Sequence, residues 1–480
     1  MTEVKTINAD ILSSYEMPEN MVELDRLLFE AVSKDKHKII VLDDDPTGVQ
    51  TVHDVSVYTN WDYESIKQGF EENNKIFYIL TNSRAFTAEQ TKEVHEKIGA
   101  TIAKVACELN CPYMIISRSD STLRGHYPLE TEILRQQMKL YSNEDVDGEI
   151  LCPYFKEGGR FTLNNIHYVK YENKLVPAGE TEFAKDKTFG YVASNLAEYI
   201  EEKTQGKYKS EKVVCISLTD LREQNFAKIE EQLCSVKDFD KVVVNAIDDC
   251  DLKVFTVALY SAINKGKKFI FRSAAGLVKI MGAISDKPLL QYNDLIQKEN
   301  NNGGIIIIGS HTAKTTKQLE KLKGIKQLEF IEFNSDLVLD EPEFEKEIKK
   351  TVEQEENIIK IGKTVVVYTK RNLLVLENDT KEQALIRSVK ISNAVQSLVG
   401  RLNITPAFVV AKGGITSSDI GTKALQVTKA KVLGQIQPGI PVWQTDENSK
   451  FPHIPYIIFP GNVGEVDTLK KVVETLLKNK

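Results

Sequence analysis

No run of apolar residues in this sequence approaches the roughly 20 that a membrane-spanning helix needs. The longest, such as Gly304-Ile305-Ile306-Ile307-Ile308-Gly309, are short, so no membrane partner is expected. Positive charge is not in excess either: 62 Lys and Arg stand against 69 Asp and Glu, a formal charge of −7. A broad nucleic-acid face wants the opposite balance, so no nucleic-acid partner is expected, although a few local Arg residues suffice to hold a small anion. Cysteine is sparse, with six scattered at positions 107, 111, 152, 215, 234 and 250. Cys107 and Cys111 have a poor spacing for zinc and no Cys/His pair to complete a site. Reduced and mostly buried thiols are expected, as in a cytoplasmic protein. The opening Met1-Thr2-Glu3-Val4-Lys5 has no apolar h-region, so a secretory signal is not expected. Two nucleotide signatures are missing as well. There is no G-x-x-x-x-G-K-[ST] phosphate loop, and no G-x-G-x-x-G after a first strand, which argues against a Walker-type ATPase and a dinucleotide enzyme.

What is there is alternation. Short β-rich runs (Lys38–Leu42, Ile76–Leu80, Tyr113–Ile116, Val213–Ile216, Val242–Val244, Phe269–Phe271) are separated by longer helix-period stretches such as Thr87–Leu109, with Thr87 as its cap. The pattern predicts an α/β protein of mainly parallel sheets flanked by helices. Residues 160–178 read instead as an antiparallel insertion. At 480 residues the chain exceeds one core, because single cores stop growing at roughly 250–300 residues. The polar run Glu299-Asn300-Asn301-Asn302-Gly303-Gly304 predicts the boundary, with domains over 1–299 and 304–480 and a cleft between them. The second half repeats the alternation, with strands at 304–308, 365–368, 408–411 and 456–459 and helices from about 312, 381 and 416.

In parallel sheets ligands gather at the C-terminal strand ends. Three polar clusters of the first half fall there: Asp43-Asp44-Asp45-Pro46-Thr47-Gly48, Thr81-Asn82-Ser83-Arg84, and Ser117-Arg118-Ser119-Asp120-Ser121-Thr122-Leu123-Arg124-Gly125-His126. Guanidinium groups pair bidentately with carboxylates, and Asp and Ser hold sugar-like hydroxyls. The set suits a polyhydroxy acid whose carboxylate meets Arg84, Arg118 or Arg124. Asp45 or Asp120 would orient the accepting hydroxyl or take its proton. The Asp run also admits a metal, with no ligand set assignable. A lone Asp or Arg at such a place is as readily a cap or a surface ion pair, and three clusters together are what favour a site. His126, His53 and His311 read as hydrogen-bonded structural side chains.

The second half offers small-residue turns at its strand ends: Gly309-Ser310-His311-Thr312, Lys412-Gly413-Gly414-Ile415-Thr416-Ser417 and Pro460-Gly461-Asn462. Glycine lets backbone N–H groups approach phosphate oxygens, and a helix N-terminus favours negative charge. Ser310, Thr312, Gly413, Gly414, Thr416, Ser417, Gly461 and Asn462 are the candidates for ATP.

These motifs resemble the four-carbon acid sugar kinase family. Asp44-Asp45-Pro46-Thr47-Gly48 is similar to its D-D-x-T-G signature and Asp120-Ser121-Thr122-Leu123-Arg124-Gly125 to its D-S-T-x-R-G signature. Cys152-Pro153-Tyr154-Phe155 with Gly159-Arg160 resembles its C-P-x-F…G-R segment, and Glu180–Asp186 resembles the family's next stretch. Gly309-Ser310, Gly413-Gly414-x-Thr416-Ser417 and Pro460-Gly461-Asn462 look like its nucleotide turns. The likeness runs from about residue 38 to the C-terminus. It departs where Asp43 and Pro46 flank the D-D pair, where Ile415 stands at a commonly acidic place, and where His311 replaces a common Cys.

The resemblance implies ATP-dependent phosphorylation of a four-carbon sugar acid such as threonate, erythronate or a 3-oxo-tetronate, with Mg²⁺ as the companion of ATP. It implies that Asp44, Arg84 and Arg118–Thr122 bind the acid, and that Ser310, the Gly414 loop and Gly461 bind ATP. Transfer is expected after domain closure, which excludes water. The rival readings are an isomerase or aldolase acting on phosphorylated acids, and a catalytically diverged binding or regulatory protein on the same scaffold. The oligomeric state is left open, a homodimer among the options.

Overall fold

The computed structural model describes residues 4–142, 145–296, 300–372, 374, 376, 379–461 and 463–477. The chain forms two compact units, and neither is a continuous stretch. The first comprises Met1–Gly48 and Asn60–Asp286, the second Val49–Thr59 and Lys287–Lys480.

Seven parallel strands make the sheet of the first unit, in the order Val214–Ile216, Asp240–Val244, Gly148–Cys152, Phe269–Ser273, Tyr113–Arg118, Lys38–Asp43, Ile76–Leu80. Its central strands are buried along their whole length, as sheets covered by helices on both faces require. Lys38–Asp43 lies between the strands that come after it in sequence, Ile76–Leu80 on one side and Tyr113–Arg118 on the other. The chain therefore reverses its winding direction there, and the crevice at a switch point of this kind is where open α/β sheets bind ligands. The helix Ala88–Leu109 carries the expected Thr87–Gln90 capping box. The insertion is antiparallel as expected: Arg160–Leu163, Ile166–Tyr171 and Lys174–Pro177 form a small sheet edged by Ile7–Asn8.

The second unit has five parallel strands in the order Pro455–Phe459, Val409–Lys412, Ile305–Ile308, Thr364–Thr369, Leu328–Phe333. It continues as an antiparallel meander through Ile440–Thr445 and Lys429–Gln437 to Ser56–Tyr58. Ile305–Ile308 sits at the corresponding switch point, between Thr364–Thr369 and Val409–Lys412.

The boundary differs from the expected 299/304. Leu290 and Leu295 are buried in the core of the second unit, and the Leu290 N–H donates to Gln435 O at 2.8 Å. The Asn-rich run is thus a loop belonging to that unit, though Glu299 itself lies outside the described residues. Residues 49–59, expected in the first domain, pair with Lys429–Lys431 of the second. All six cysteines are free thiols. No helix among the described residues is long and apolar enough to cross a membrane.

One core position runs against its surroundings. Glu355, on the helix Glu341–Lys360, is fully buried and neither carboxyl oxygen has a hydrogen-bond partner among the described residues. Burial pushes its carboxyl well above the ordinary range. A carboxyl with a raised folded-state affinity stabilises fully below its unfolded range and loses that contribution as pH rises. Glu355→Leu removes the unpartnered atoms at similar volume. It should stabilise the protein at pH 8 by about 1–3 kcal/mol, read by chemical denaturation; an unchanged midpoint would refute this account of the side chain.

Candidate functional site

In the first unit the structure gathers the predicted polar runs at the switch point. Asp44 takes a forked pair of hydrogen bonds from Arg84, Nη2 to Oδ1 at 2.6 Å and Nε to Oδ2 at 3.1 Å. The same guanidinium reaches Asp45 at 3.4 Å and Asp120 at 3.9 Å. Arg118 lies 3.4 Å from Asp43 and 3.7 Å from Asp44. Arg124 donates to Asp120 Oδ2 through Nε at 2.7 Å and stands 4.0 Å from Asp186. The Thr122 hydroxyl also donates to Asp120. Asp45 accepts the Thr47 N–H at 2.8 Å, so the D-x-T turn closes on its own carboxylate.

The electrostatics sort these carboxylates. Burial opposes ionisation of Asp120, but Arg84 and Arg124 outweigh it and hold the carboxyl well below the usual range. Asp45 is likewise lowered, by Arg84 and the Thr47 bonds against burial. Both are anions throughout the physiological range and are better hydroxyl-orienting acceptors than proton acceptors. Asp43 is the opposite case: burial, reinforced by Asp44 and Asp45 against the pull of Arg118, pushes it up to about 8.

The Asp120–Gly125 loop is held by groups that the sequence reading missed. Its carbonyls accept from the insertion and its flank: His167 Nε2 donates to Ser121 O, Tyr191 OH to Thr122 O and Tyr199 OH to Leu123 O, each at 2.8 Å. His167 is fully buried, and burial lowers it to about 4, so it stays neutral in the tautomer with the Nε2 proton. Behind the loop, buried Glu130 accepts from Arg272 and from Ser83 Oγ at 2.7 Å. Arg272 Nη2 also donates to Arg124 O at 3.3 Å. Gly125 is at φ 122°, and a Cβ there would lie 2.8 Å from that guanidinium, so the glycine of the motif is a steric requirement. Ser119 and Ser121 are buried beside the cluster. His126 bonds the Phe86 carbonyl at 3.0 Å and packs edge-on to Phe189, the structural role expected of it.

In the second unit the first two turns pack on each other. Thr312 caps the helix Ala313–Leu322 by accepting the Thr315 N–H, and Ser310, Thr312 and Thr315 form a cluster of hydroxyls. A Cβ on Gly309 would meet Thr416 Oγ1 at 2.3 Å, so the glycine lets the two turns touch. Gly413 is at φ 125° beside Thr416 and Ser310. The third turn is tied in by buried Lys412, whose Nζ donates to Pro460 O at 2.7 Å and Gly461 O at 3.0 Å. Burial, aided by Lys314, lowers that ammonium to about 7. Ser417 is not presented with the others: it is buried, and its hydroxyl donates to Ala411 O at 2.9 Å. Asn462 lies outside the described residues.

Arg371, after the strand Thr364–Thr369, was not anticipated because no glycine marks its loop. It donates through Nη2 to the Ser310 carbonyl and bonds Thr316 Oγ1 at 3.3 Å through both Nε and Nη2. Its Nη1 is buried with no partner among the described residues. Among the described residues no group of three or more His, Cys, Asp or Glu side chains is placed to hold a metal ion. The Asp43–Asp45 run is turned toward arginines instead.

Acid-and-guanidinium chemistry at one switch point and small hydroxyl-rich turns at another define a two-domain carbohydrate- and nucleotide-binding protein. The family described as a sugar-binding N-terminal domain matches residues 39–281, and that described as a nucleotide-binding C-terminal domain matches residues 305–469. The chain belongs to the family that joins these two domains, the four-carbon acid sugar kinase architecture. The fold is shared with Haemophilus influenzae protein HI1011, of the DUF1537 family, at 18% identity and a TM-score of 0.61 over 91% of this chain and 100% of that one. A Salmonella typhimurium LT2 protein described provisionally as a tRNA synthase is similar at 15% identity and a TM-score of 0.66, over 90% and 98% of the two chains. None of the curated proteins matches the sequence.

The raised Asp43 carboxyl gives a direct test. Its protonated form stabilises the fold fully below the unfolded value of about 3.9, and that contribution is lost as pH rises through about 8. Asp43→Asn imitates the neutral carboxyl. It should fold and bind ligand as the wild type does at pH 6 and lack the wild type's loss of stability between pH 6 and 9. A variant that is as pH-sensitive as the wild type would show that Asp43 is ionised in the fold.

Proposed function

We propose that the protein is an ATP-dependent kinase that phosphorylates a hydroxyl of a small sugar acid such as threonate, erythronate or a 3-oxo-tetronate. One observation carries this reading: the charged, hydroxyl-binding cluster and the phosphate-suited turns each occupy the switch point of one of the two domains. In this mechanism the sugar acid binds to the Asp44–Arg84 and Asp120–Arg124 cluster. Asp120 or Asp45 accepts a hydrogen bond from the attacking hydroxyl and orients it. The loose transition state of phosphoryl transfer asks for placement and charge more than for a strong base, which is consistent with carboxylates held ionised. Gly309–Thr312 and Gly413–Thr416 offer backbone N–H groups and hydroxyls to the phosphates, with Gly461 at the edge. Arg371 supplies a cation there. Mg²⁺, when bound with ATP, neutralises charge on the β and γ phosphates.

ADP release with Mg-ATP over a panel of four- to six-carbon sugar acids, with the product position read by phosphorus NMR, tests the reading. Turnover of at least one acid is expected; nucleotide and acid binding without product would favour the diverged binding protein. Asp120→Asn should lower kcat at least about 100-fold and leave ATP binding, measured by calorimetry, unchanged. Arg371→Met should do the reverse, weakening ATP about 10- to 100-fold with acid binding intact. Equal effects of either variant on both ligands would sink the division of labour.

A further inference from the structure

Five guanidinium groups stand in or beside the strand-end cluster of the first unit, and four are already answered by carboxylates. Arg84 serves Asp44, Asp45 and Asp120; Arg118 serves Asp43 and Asp44; Arg124 serves Asp120 and Asp186; Arg272 serves Glu130. Arg160 is the exception. Among the described residues no carboxylate lies within ion-pair distance of it, its Nε is buried without a partner, and its Nη1 donates to a neutral acceptor, the Gly158 carbonyl. Burial accordingly holds it below the ordinary Arg range, the reverse of Arg84, Arg124 and Arg272, which their carboxylates raise.

Its position is fixed in advance of any ligand. Backbone bonds to Phe155 pin it at 2.9 and 3.1 Å at the start of the strand Arg160–Leu163. The neighbouring strand is bolted to the Asp120 loop through His167. The Arg160 guanidinium lies over the Phe183 ring at 5.6 Å, and Arg124 lies over the same ring at 5.0 Å. Arg160 therefore shares a platform with the arginine that holds Asp120, and Asp120 and Arg124 both act on it electrostatically.

We infer that Arg160 receives the carboxylate of the substrate, and that the site for this reason prefers hydroxy acids to the matching uncharged polyols. This rests on the kinase reading above. Arg84 is a poor alternative, because a substrate that took it would strand buried Asp44 without its cation. Arg118 also has a buried Nε without a partner among the described residues, but its Nη1 already lies 3.4 Å from Asp43 and 3.7 Å from Asp44, whereas Arg160 has no carboxylate at all within that reach. Arg160 has the opposite balance: it is a partly buried cation in a fixed geometry whose missing partner is an anion. A substrate carboxylate at Arg160 leaves the hydroxyl-bearing carbons to run toward Asp120.

The test uses Arg160→Met and Arg160→Lys in the full-length protein, with the acid that the wild type turns over best and its uncharged alditol. For Arg160→Met, KM for the acid should rise about 10- to 100-fold, with kcat changed less than about threefold and KM for ATP unchanged. KM for the alditol should not move, so the acid-over-alditol preference collapses by the same factor. Arg160→Lys, which keeps the charge and loses the fork, should fall between. A second readout separates recognition from folding: without ligand Arg160→Met should melt no lower than the wild type, yet gain no thermal shift from the acid. The inference is overturned if Arg160→Met keeps the wild-type preference and acid-induced shift, or if both are lost only on Arg124→Met. A wild type that neither binds nor phosphorylates any acid of the panel would overturn the kinase reading itself, an outcome distinct from a wild-type enzyme indifferent to Arg160.

Discussion

Buried charge must find a partner, and the arrangement of the first unit stems from that requirement. Asp43, Asp44, Asp45 and Asp120 are withdrawn from water at a sheet edge, where the desolvation of each would be prohibitive alone. The Arg84 fork on Asp44, the Arg124 bond to Asp120 and the neutral state of Asp43 are three solutions to that one problem. The rest of the unit supports them. Glu130 and Arg272 brace the Asp120 loop from behind, and His167, Tyr191 and Tyr199 hold its carbonyls from the side. The antiparallel insertion thus fixes the backbone on which the charged residues stand.

The second unit solves a different problem with different chemistry. A nucleotide brings its own concentrated negative charge, so the turns present neutral hydroxyls and exposed backbone rather than paired carboxylates. Lys412 is too buried to touch a ligand; its bonds to Pro460 and Gly461 hold two turns at a common edge. Arg371 stands against those turns with a nitrogen that has no partner among the described residues. Paired charge fills the first site, whereas neutral donors and an added cation line the second.

Much of this was legible in the sequence, and the exceptions have physical reasons. The buried parallel strands announced themselves as apolar runs, and the motifs fell at their C-terminal ends because turns there need Gly, Asp and Ser. The strand Leu328–Phe333 was missed because it sits at the sheet edge with partial burial and carries two glutamates. The meander Lys429–Thr445 was missed because Gly434, Pro441 and two bulges break its alternation. At the site the signatures gave the residues but not their pairing. Nothing in one dimension says that Arg84 and Arg118 are spent on aspartates while Arg160, some 40 positions further on, is not. Glu130, His167, Arg272 and Arg371 lie in no motif and act through tertiary contacts alone. Ser417 had the right type in the right turn, but the helix that it opens directs its hydroxyl to Ala411.

The short segment Val49–Thr59 has a consequence for how the molecule is made. It comes directly after the Asp44–Gly48 turn, yet its strand pairs with Lys429–Lys431, which is synthesised some 370 residues later. No single cut between residues 286 and 305 yields two complete domains, because the C-terminal piece would leave Lys429–Lys431 bare and open to edge-to-edge association. A self-sufficient nucleotide-binding half would have to carry a copy of residues 49–59 grafted onto it, a permutation rather than a truncation.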